Sequence, residues 1–441
     1  MHHQCGGKTI KRHILAAVVL LFFVWAPHAA AQGVIVPSDK VDEPPEKTFA
    51  WLPFGFYSET WELALGVGAG SIGYGQPQLG LLGAVVGSTN ATYGALGQVT
   101  KLQIKPIDRL FMDVTAGYFR YTKLQSYVPG NPDFPDERAG SNDSSYENFV
   151  VTPSPDAFAY IDFNYLLPLG SARDMIINEF VIEDGLLKSG ATGGWSWNPA
   201  KSGRSYVGLE FFSRARTLEE DFGEQEFNTS GLSLTLEHEN SDFKLNPSRG
   251  SHKVLKFRRD FDWFSSSGDW TTVEFEFAKF IYLGAGKRGR QRVLAFNLWT
   301  INTPSWENTT GDNGQPIVEG APPYFEGARL GGLYRMRGYR HNRFHDKSAI
   351  YYSAEYRFIP NRSPLNQLDK LGWFNFNWWQ FVAFAEVGRV APDWSLSELH
   401  KDMKWDVGIG LRTLVRQTVL RMDVGFSPEG VTLWLMAGQA F

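Results

Sequence analysis

The amino-acid sequence predicts an all-β protein, a transmembrane antiparallel β-barrel of about 16 strands in a bacterial outer membrane. Three observations carry the prediction. Apolar and polar residues alternate with a period of two in window after window. The front end reads as an export signal. The chain closes on a bare aromatic, Phe441, at the end of an alternating segment, which suits a strand ending at a lipid–water boundary better than the frayed polar terminus of a soluble domain.

The export signal comes first in the chain. Lys8, Lys11 and Arg12 precede an apolar run from Ile14 to Ala26, followed by Ala29, Ala30 and Ala31, so residues 1–31 read as a secretory signal cleaved after Ala31. A run of about 13 apolar residues is too short to span a bilayer. The single cysteine, Cys5, leaves with the signal, so the exported chain has no disulfide or cysteine-based metal site. The signal also removes three basic and no acidic residues, leaving 40 basic against 47 acidic and a formal charge of −7. That balance offers no basic patch for a nucleic acid. Past the signal no stretch approaches the roughly 18 apolar residues of a membrane helix. The 65 aromatic residues and 45 glycines instead fit an outer-membrane barrel.

Residues 32–57 carry Pro37, Pro44 and Pro45 among charges and read as a short periplasmic segment before a barrel over 58–441. The first strand alternates Leu63, Leu65, Val67 and Ala69 with Ala64, Gly66, Gly68 and Gly70. Further on, Ile161, Phe163 and Tyr165 flank Asp162 and Asn164; Val207, Leu209 and Phe211 flank Gly208 and Glu210. Leu232, Leu234 and Leu236 interleave with Ser233, Thr235 and Glu237. Leu255 and Phe257 oppose Lys256, Arg258 and Asp260, although Arg259 breaks the apolar face. Val273, Phe275 and Phe277 interleave with Glu274 and Glu276. Near the end, Trp405, Val407, Ile409 and Leu411 oppose Asp406 and Arg412, and Leu420, Met422, Val424 and Phe426 oppose Arg421 and Asp423.

Such alternation puts one residue set on each face of a sheet. A soluble sandwich would show it too, but here the polar faces carry both signs of charge and the apolar faces are rich in aromatics. A charge at the lipid midplane costs roughly 2–4 kcal/mol, so a barrel keeps its charges on the lumen side. Strands are expected near 61–71, 78–88, 93–104, 109–119 and 157–166, with a sixth within 175–198. The rest are expected near 204–214, 229–239, 252–262, 271–281, 291–301, 348–358, 380–390, 403–413, 418–427 and 431–441. This order puts the polar insertion 121–156 on the periplasmic side, where barrel turns are normally short. The conflict points to a strand assignment before it. Residues 302–346 form the longest loop of the second half, on the outer side.

That loop contains Gly331-Gly332-Leu333-Tyr334-Arg335-Met336-Arg337-Gly338-Tyr339. Three more segments accompany it: Asn246-Pro247-Ser248-Arg249-Gly250, Ala383-Phe384-Ala385-Glu386-Val387-Gly388, and the closing Gly438-Gln439-Ala440-Phe441. Together they resemble the barrel of the BamA/TamA-type bacterial surface antigen superfamily, in which they correspond to the turn before the ninth strand, the thirteenth strand and a terminal assembly signal. The resemblance covers roughly 58–441. It implies that the loop folds back into the lumen, with Arg337, Gly338 and Tyr339 at its tip and Arg337 against Glu355 and Glu386 on the inner wall. The residues agree: Glu355 shares a face with Ser353 and Arg357, opposite Tyr352, Ala354, Tyr356 and Phe358, and a mid-strand Glu386 has to avoid lipid. The resemblance also implies insertion or translocation of proteins, or of lipid, at the outer membrane. Residues 32–57 are too short for one of the POTRA domains that gather clients, so a barrel-only member is expected.

The glycines Gly66, Gly68 and Gly70 allow two readings. They weaken the first strand and permit close backbone approach, giving a seam with the last strand, around Gly438 and Phe441, that opens to an incoming client strand. Alternatively they make room for the in-folded loop. His341, His345 and Asp346 lie close in sequence but on a loop, which argues against a metal site, and no Ser/His/acid spacing suggests catalysis. No cofactor is expected. The partners expected are outer-membrane lipids, including lipopolysaccharide, and client outer-membrane or exported proteins; a diffusion channel or a purely structural barrel are the alternatives.

Overall fold

Along the central strands, the residues assigned to hydrocarbon are the exposed ones: Leu209, Leu234, Ile409 and Leu433 lie on the outer face, and their neighbours Glu210, Glu237, Asp406 and Arg412 are buried inside. The computed structural model describes residues 33–43, 47–58, 60–220, 223–264, 266–310, 316–362, 376–415 and 418–441. The expected signal segment, with Cys5, lies outside the described residues.

The strands follow in chain order. The first are β1 (Gly33–Pro37), β2 (Thr48–Ser58), β3 (Glu62–Ile72), β4 (Gly80–Ser88), β5 (Tyr93–Gln103), β6 (Leu110–Ser126) and β7 (Val150–Leu166). Then come β8 (Asn178–Glu183), β9 (Leu186–Ser189), β10 (Arg204–Glu220), β11 (Gly223–Glu239), β12 (Gly250–Asp260), β13 (Trp270–Tyr282) and β14 (Gly289–Asn302). Four short strands follow in the long loop: β15 (Glu307–Thr310), β16 (Pro316–Glu319), β17 (Ala328–Leu330) and β18 (Phe344–Asp346). The last are β19 (Ser348–Pro360), β20 (Phe376–Ala391), β21 (Lys404–Val415), β22 (Thr418–Ser427) and β23 (Gly430–Ala437).

Sixteen of these form one antiparallel sheet, ordered β2-β3-β4-β5-β6-β7-β10-β11-β12-β13-β14-β19-β20-β21-β22-β23. No described residue of β2 pairs with β23, so the sheet curls without closing. The count of 16 agrees with expectation, but two strand assignments were wrong in opposite directions. Thr48–Ser58, inside the segment expected to precede the barrel, is the first strand, paired residue for residue with β3. Pro53 in its middle disguised it, because proline is tolerated only at a sheet edge. The strand expected within 175–198 is absent from the barrel. Its residues form β8 and β9, which make a three-stranded sheet with β1. At six and four residues these are too short for a membrane strand of about 9–11; they bury Phe180 and Ile182 against Phe243 at the barrel's end.

The extra first strand reverses the placement of the polar insertion. It connects β6 to β7, both 17 residues long, and lies at the same end as the long loop. There Arg138 Nη1 reaches Asp346 Oδ2 at 2.9 Å and the His345 amide donates to the Gly140 carbonyl at 2.7 Å.

The chain's last residues also depart from expectation. β23 stops at Ala437; Gly438, with φ +92°, takes a left-handed turn that suits glycine. Phe441 then stacks on the lumen-facing Phe280, with centroids 6.3 Å apart, beneath the Arg357 guanidinium at 5.0 Å. It is inside the barrel, not at the lipid–water boundary, because an apolar pocket of Ala278, Phe280, Val293 and Ala295 receives it there.

Candidate functional site

The site is built where the long loop enters the lumen. Gly331 and Gly332 have φ of +101° and +112°, a left-handed conformation that L side chains resist. The turn they make is closed by the Gly331 amide donating to the Arg335 carbonyl at 3.0 Å, and it aims residues 335–339 at the inner wall of β19 to β23.

Arg337 is the centre of that wall. Its side chain and those of its three acidic partners are fully buried; Nη2 lies 2.9 Å from Glu355 Oε1, Nε 2.9 Å from Glu386 Oε1 and Nη1 2.8 Å from Asp423 Oδ2. The Arg337 amide donates to Glu386 Oε2 at 2.5 Å, and its carbonyl accepts from Trp434 Nε1 at 2.7 Å and from the Thr432 hydroxyl. The guanidinium stands 3.6 Å above the Phe384 ring, a cation–π arrangement.

The strand registers explain why these groups meet. Glu355, Phe384, Gly408, Gly425 and Thr432 are successive partners across five strands, so one inward row carries a carboxylate, a ring and then two bare glycines. Gly425 is required there: a Cβ on it would lie 2.6 Å from the Arg337 carbonyl oxygen. Gly338 in the loop is equally confined, with a Cβ placed 2.5 Å from Asp406 Cβ. Backbone passes backbone at this point. Tyr339 donates from its hydroxyl to the Trp405 carbonyl at 3.0 Å and packs edge-on against Phe344.

Sequence reasoning placed Arg337, Gly338, Tyr339, Glu355 and Glu386, and the structure brings all five together. It missed the rest of the ionic cluster. Arg357 Nε and Arg412 Nη2 each lie 2.7 Å from a Glu355 oxygen, and Arg421 Nε lies 3.3 Å from Asp423. Asp423 and Arg421 stand on the polar face of their strand in the sequence, so their inward direction is legible there, whereas their partners are not.

A second anchor had no sequence signal. Across the lumen, Tyr324 Oη hydrogen-bonds Ser126 Oγ at 2.9 Å, and Arg258 Nη1 reaches Glu326 Oε2 at 2.5 Å. Phe325 sits between the guanidiniums of Arg214 and Arg216, 4.5 Å from each. The loop is therefore fixed to two opposite walls and bridges the bore.

The glycines of β3 do not make room for this loop. Gly66 is covered by the ring of Phe54 from β2, whose Cζ would lie 2.4 Å from a Cβ on Gly66. Gly70 faces Leu82, and Gly68, buried between them, stands on the same inward face. Glycine here accommodates a neighbouring strand's side chain, while the glycines that admit the loop are Gly388 on β20 and Gly425 on β22. Gly438 turns the chain into the bore, where Phe441 packs on Phe280. Gln439, between them, accepts from Arg412 Nη1 at 2.6 Å and donates to the Leu245 carbonyl at 2.8 Å, in the turn that also holds Asn246 and Pro247.

The loop histidines do not converge on a shared ligand position. His345 Nε2 donates to the Tyr127 carbonyl at 2.7 Å, and Asp346 is paired with Arg138. Among the described residues Glu237, Glu239 and His252 do gather within 4.8 Å, but His252 Nε2 is bonded to Glu237 at 2.9 Å and Lys244 Nζ lies 3.6 Å from the same carboxylate. An ammonium already occupies the position a cation would take.

No family model and no curated protein matches the sequence. Solved structures do share the architecture. A crystal structure of BamA from Haemophilus ducreyi lacking POTRA domains 1–3 aligns over 89% of this chain and 70% of its own, at 11% identity and a TM-score of 0.49. CdiB from Escherichia coli aligns over 89% of this chain and 63% of its own, at 11% identity and a TM-score of 0.53. The fold of this chain is that of the CdiB barrel.

Proposed function

We propose that this chain is an outer-membrane protein of the BamA/TamA type, which inserts or translocates proteins through the gap between β2 and β23. The observation that carries the reading is the missing ladder between the first and last strands among the described residues. Two strand edges that share no ladder among the described residues are costly inside a membrane unless something else completes them, and an incoming strand is the natural complement. Pro53 supports the same reading. Its strand pairs with β3 without a register shift, so the missing N–H is accommodated on the free edge, and a full ladder with β23 would have a gap at mid-strand. The Arg337 cluster immobilises the loop against β19 to β23, the wall that ends in the free edge of β23. The fold shared with CdiB and the motif resemblance support a place in the outer membrane.

The test is a reversible lock. Ser58→Cys with Thr432→Cys, one on each edge, is oxidised in cells and then reduced, the reduced double variant being the reference because Thr432 also donates to the Arg337 carbonyl. Locking is expected to lower outer-membrane protein levels and slow growth, with recovery on reduction. Unchanged levels in a fully locked population would reject the proposal.

A further inference from the structure

The inner wall has two chemically different halves. From β10 to β22 it is charged, with Glu210, Arg216, Glu355, Arg412 and Asp423 buried on it. From β2 to β5 it is apolar: Ala50, Phe54, Leu82, Ala84, Val86 and Leu96 line their side of the bore, whose free volume of about 1280 Å³ is bounded opposite by Asp156, Glu210, Arg214 and Arg258. The outer faces of these strands are apolar too, with Leu65, Val67 and Val85 exposed to the hydrocarbon side. A barrel around water normally alternates apolar outside with polar inside, and β3 and β4 break that rule on a face that looks inward.

Two further features identify the occupant. The same cavity is lined by Val431 and Leu433 of β23, which are 67% and 58% exposed on its outer face, so the space passes round the free edge to the hydrocarbon side. The apolar half-wall also has a polar foot. Toward the end of the barrel where β2 begins, the lining changes to Gln78, Gln98, Thr100 and Lys101, with the Asp113 carboxylate beside Lys101 and accepting from its amide at 2.6 Å, so the foot offers both signs of charge, as a zwitterionic head does. A ligand complementary to both has a long hydrocarbon part and an anionic or hydrogen-bonding head, and bilayer lipid at the mouth of the gap has that chemistry.

We propose that this half-wall binds a glycerophospholipid that enters sideways between β2 and β23, with an acyl chain along Leu82, Ala84, Val86 and Leu96 and its phosphate toward Lys101. The site shares the gap with the proposed function but requires no protein client.

The full chain is reconstituted in phosphatidylcholine vesicles containing a trace of phosphatidylcholine with a diazirine in the acyl chain. After illumination, adducts are mapped by mass spectrometry. Adducts are expected on the inward residues Leu82, Ala84, Val86 and Leu96 as well as on the outward Leu65 and Val85. Ala84→Trp, which fills the groove, is expected to reduce the inward adducts at least tenfold and leave the outward ones unchanged. Leu82→Ser makes the same prediction should the tryptophan variant not fold, and heat-dependent gel mobility reports folding for both. Lys101→Gln is expected to reduce inward labelling several-fold. Adducts on outward residues only, or inward adducts indifferent to these substitutions, would overturn the proposal. The Ser58→Cys, Thr432→Cys lock separates the two readings. Inward labelling lost on locking, with outer-membrane protein levels unchanged, keeps the lipid site and rejects the client; labelling that survives locking rejects sideways entry.

Discussion

Arg337→Ala removes one guanidinium from a fully buried cluster in which it meets three carboxylates at 2.8–2.9 Å. The three are not equally exposed to the loss. Glu355 keeps Arg357 and Arg412, and Asp423 keeps Arg421. Glu386 keeps only neutral donors, the backbone amide of residue 337 at 2.5 Å, the Tyr351 hydroxyl at 2.5 Å and the Ser353 hydroxyl at 3.5 Å, with Asp406 directly across the ladder. The substitution thus strands one buried carboxylate, and removing a partner from a buried pair costs about 3–5 kcal/mol. The strand ladders do not involve the loop, so the cost falls on loop docking and shifts its equilibrium roughly a hundred- to several-thousand-fold. Amide hydrogen exchange over 328–346 in detergent or nanodiscs reads this directly. Protection is expected to fall by that factor while the strands of the sheet keep theirs. Adding Glu386→Gln removes the stranded charge and is expected to restore about 1–3 kcal/mol. Loop protection equal to wild type in Arg337→Ala, or a double variant worse than the single, would refute the reasoning.

Gly425→Ala places a methyl 2.6 Å from the Arg337 carbonyl oxygen and is expected to weaken docking by about 1–3 kcal/mol, seen as faster proteolysis of the loop with an unchanged barrel. His345 supplies a pH dependence. Burial pushes its imidazole down to about 4, the Tyr127 carbonyl opposing and Arg138 adding to the shift. The undocked histidine titrates near 6.5, so it takes up protons before the docked one. Contact between the two outer loops is therefore strongest above pH 6.5, weakens as pH falls toward 4 and levels off below; exchange at residues 138–146 followed across that range checks it, and His345→Gln should flatten the profile. Pro53→Val returns an N–H to the free edge of β2, so spontaneous crosslinking of the cysteine pair across the gap should become faster.

The face of nearly every strand was legible in the sequence because a charge in hydrocarbon is expensive enough to force the alternation. The ring of partners around Arg337 was only half legible. Glu355 and Glu386 come with the loop motif and Arg357 lies two residues along the strand from Glu355, whereas Arg412 and Asp423 reach the cluster through strand registers set far away in sequence. Tyr324, Phe325 and Glu326 carry no local mark, since what defines them is Ser126, the arginine pair Arg214 and Arg216, and Arg258, all on strands far earlier in the chain. Thr48–Ser58 was hidden by a proline that is intelligible only once its strand is known to be an edge. Phe441 misled for a related reason: a terminal aromatic suits lipid or an interior pocket equally, and Phe280 decides between them.

The two borders of the gap are held unequally. β2 is fixed by 11 residue pairs to β3, and β23 by 8 to β22. The chain just before β2 is tied down as well, through β1 and its parallel pairing with β8. The shorter ladder of the C-terminal border is backed from inside, where Thr432 and Trp434 donate to the Arg337 carbonyl and Phe441 stacks on Phe280, so drawing that border aside has to loosen the docked loop as well as its eight pairs.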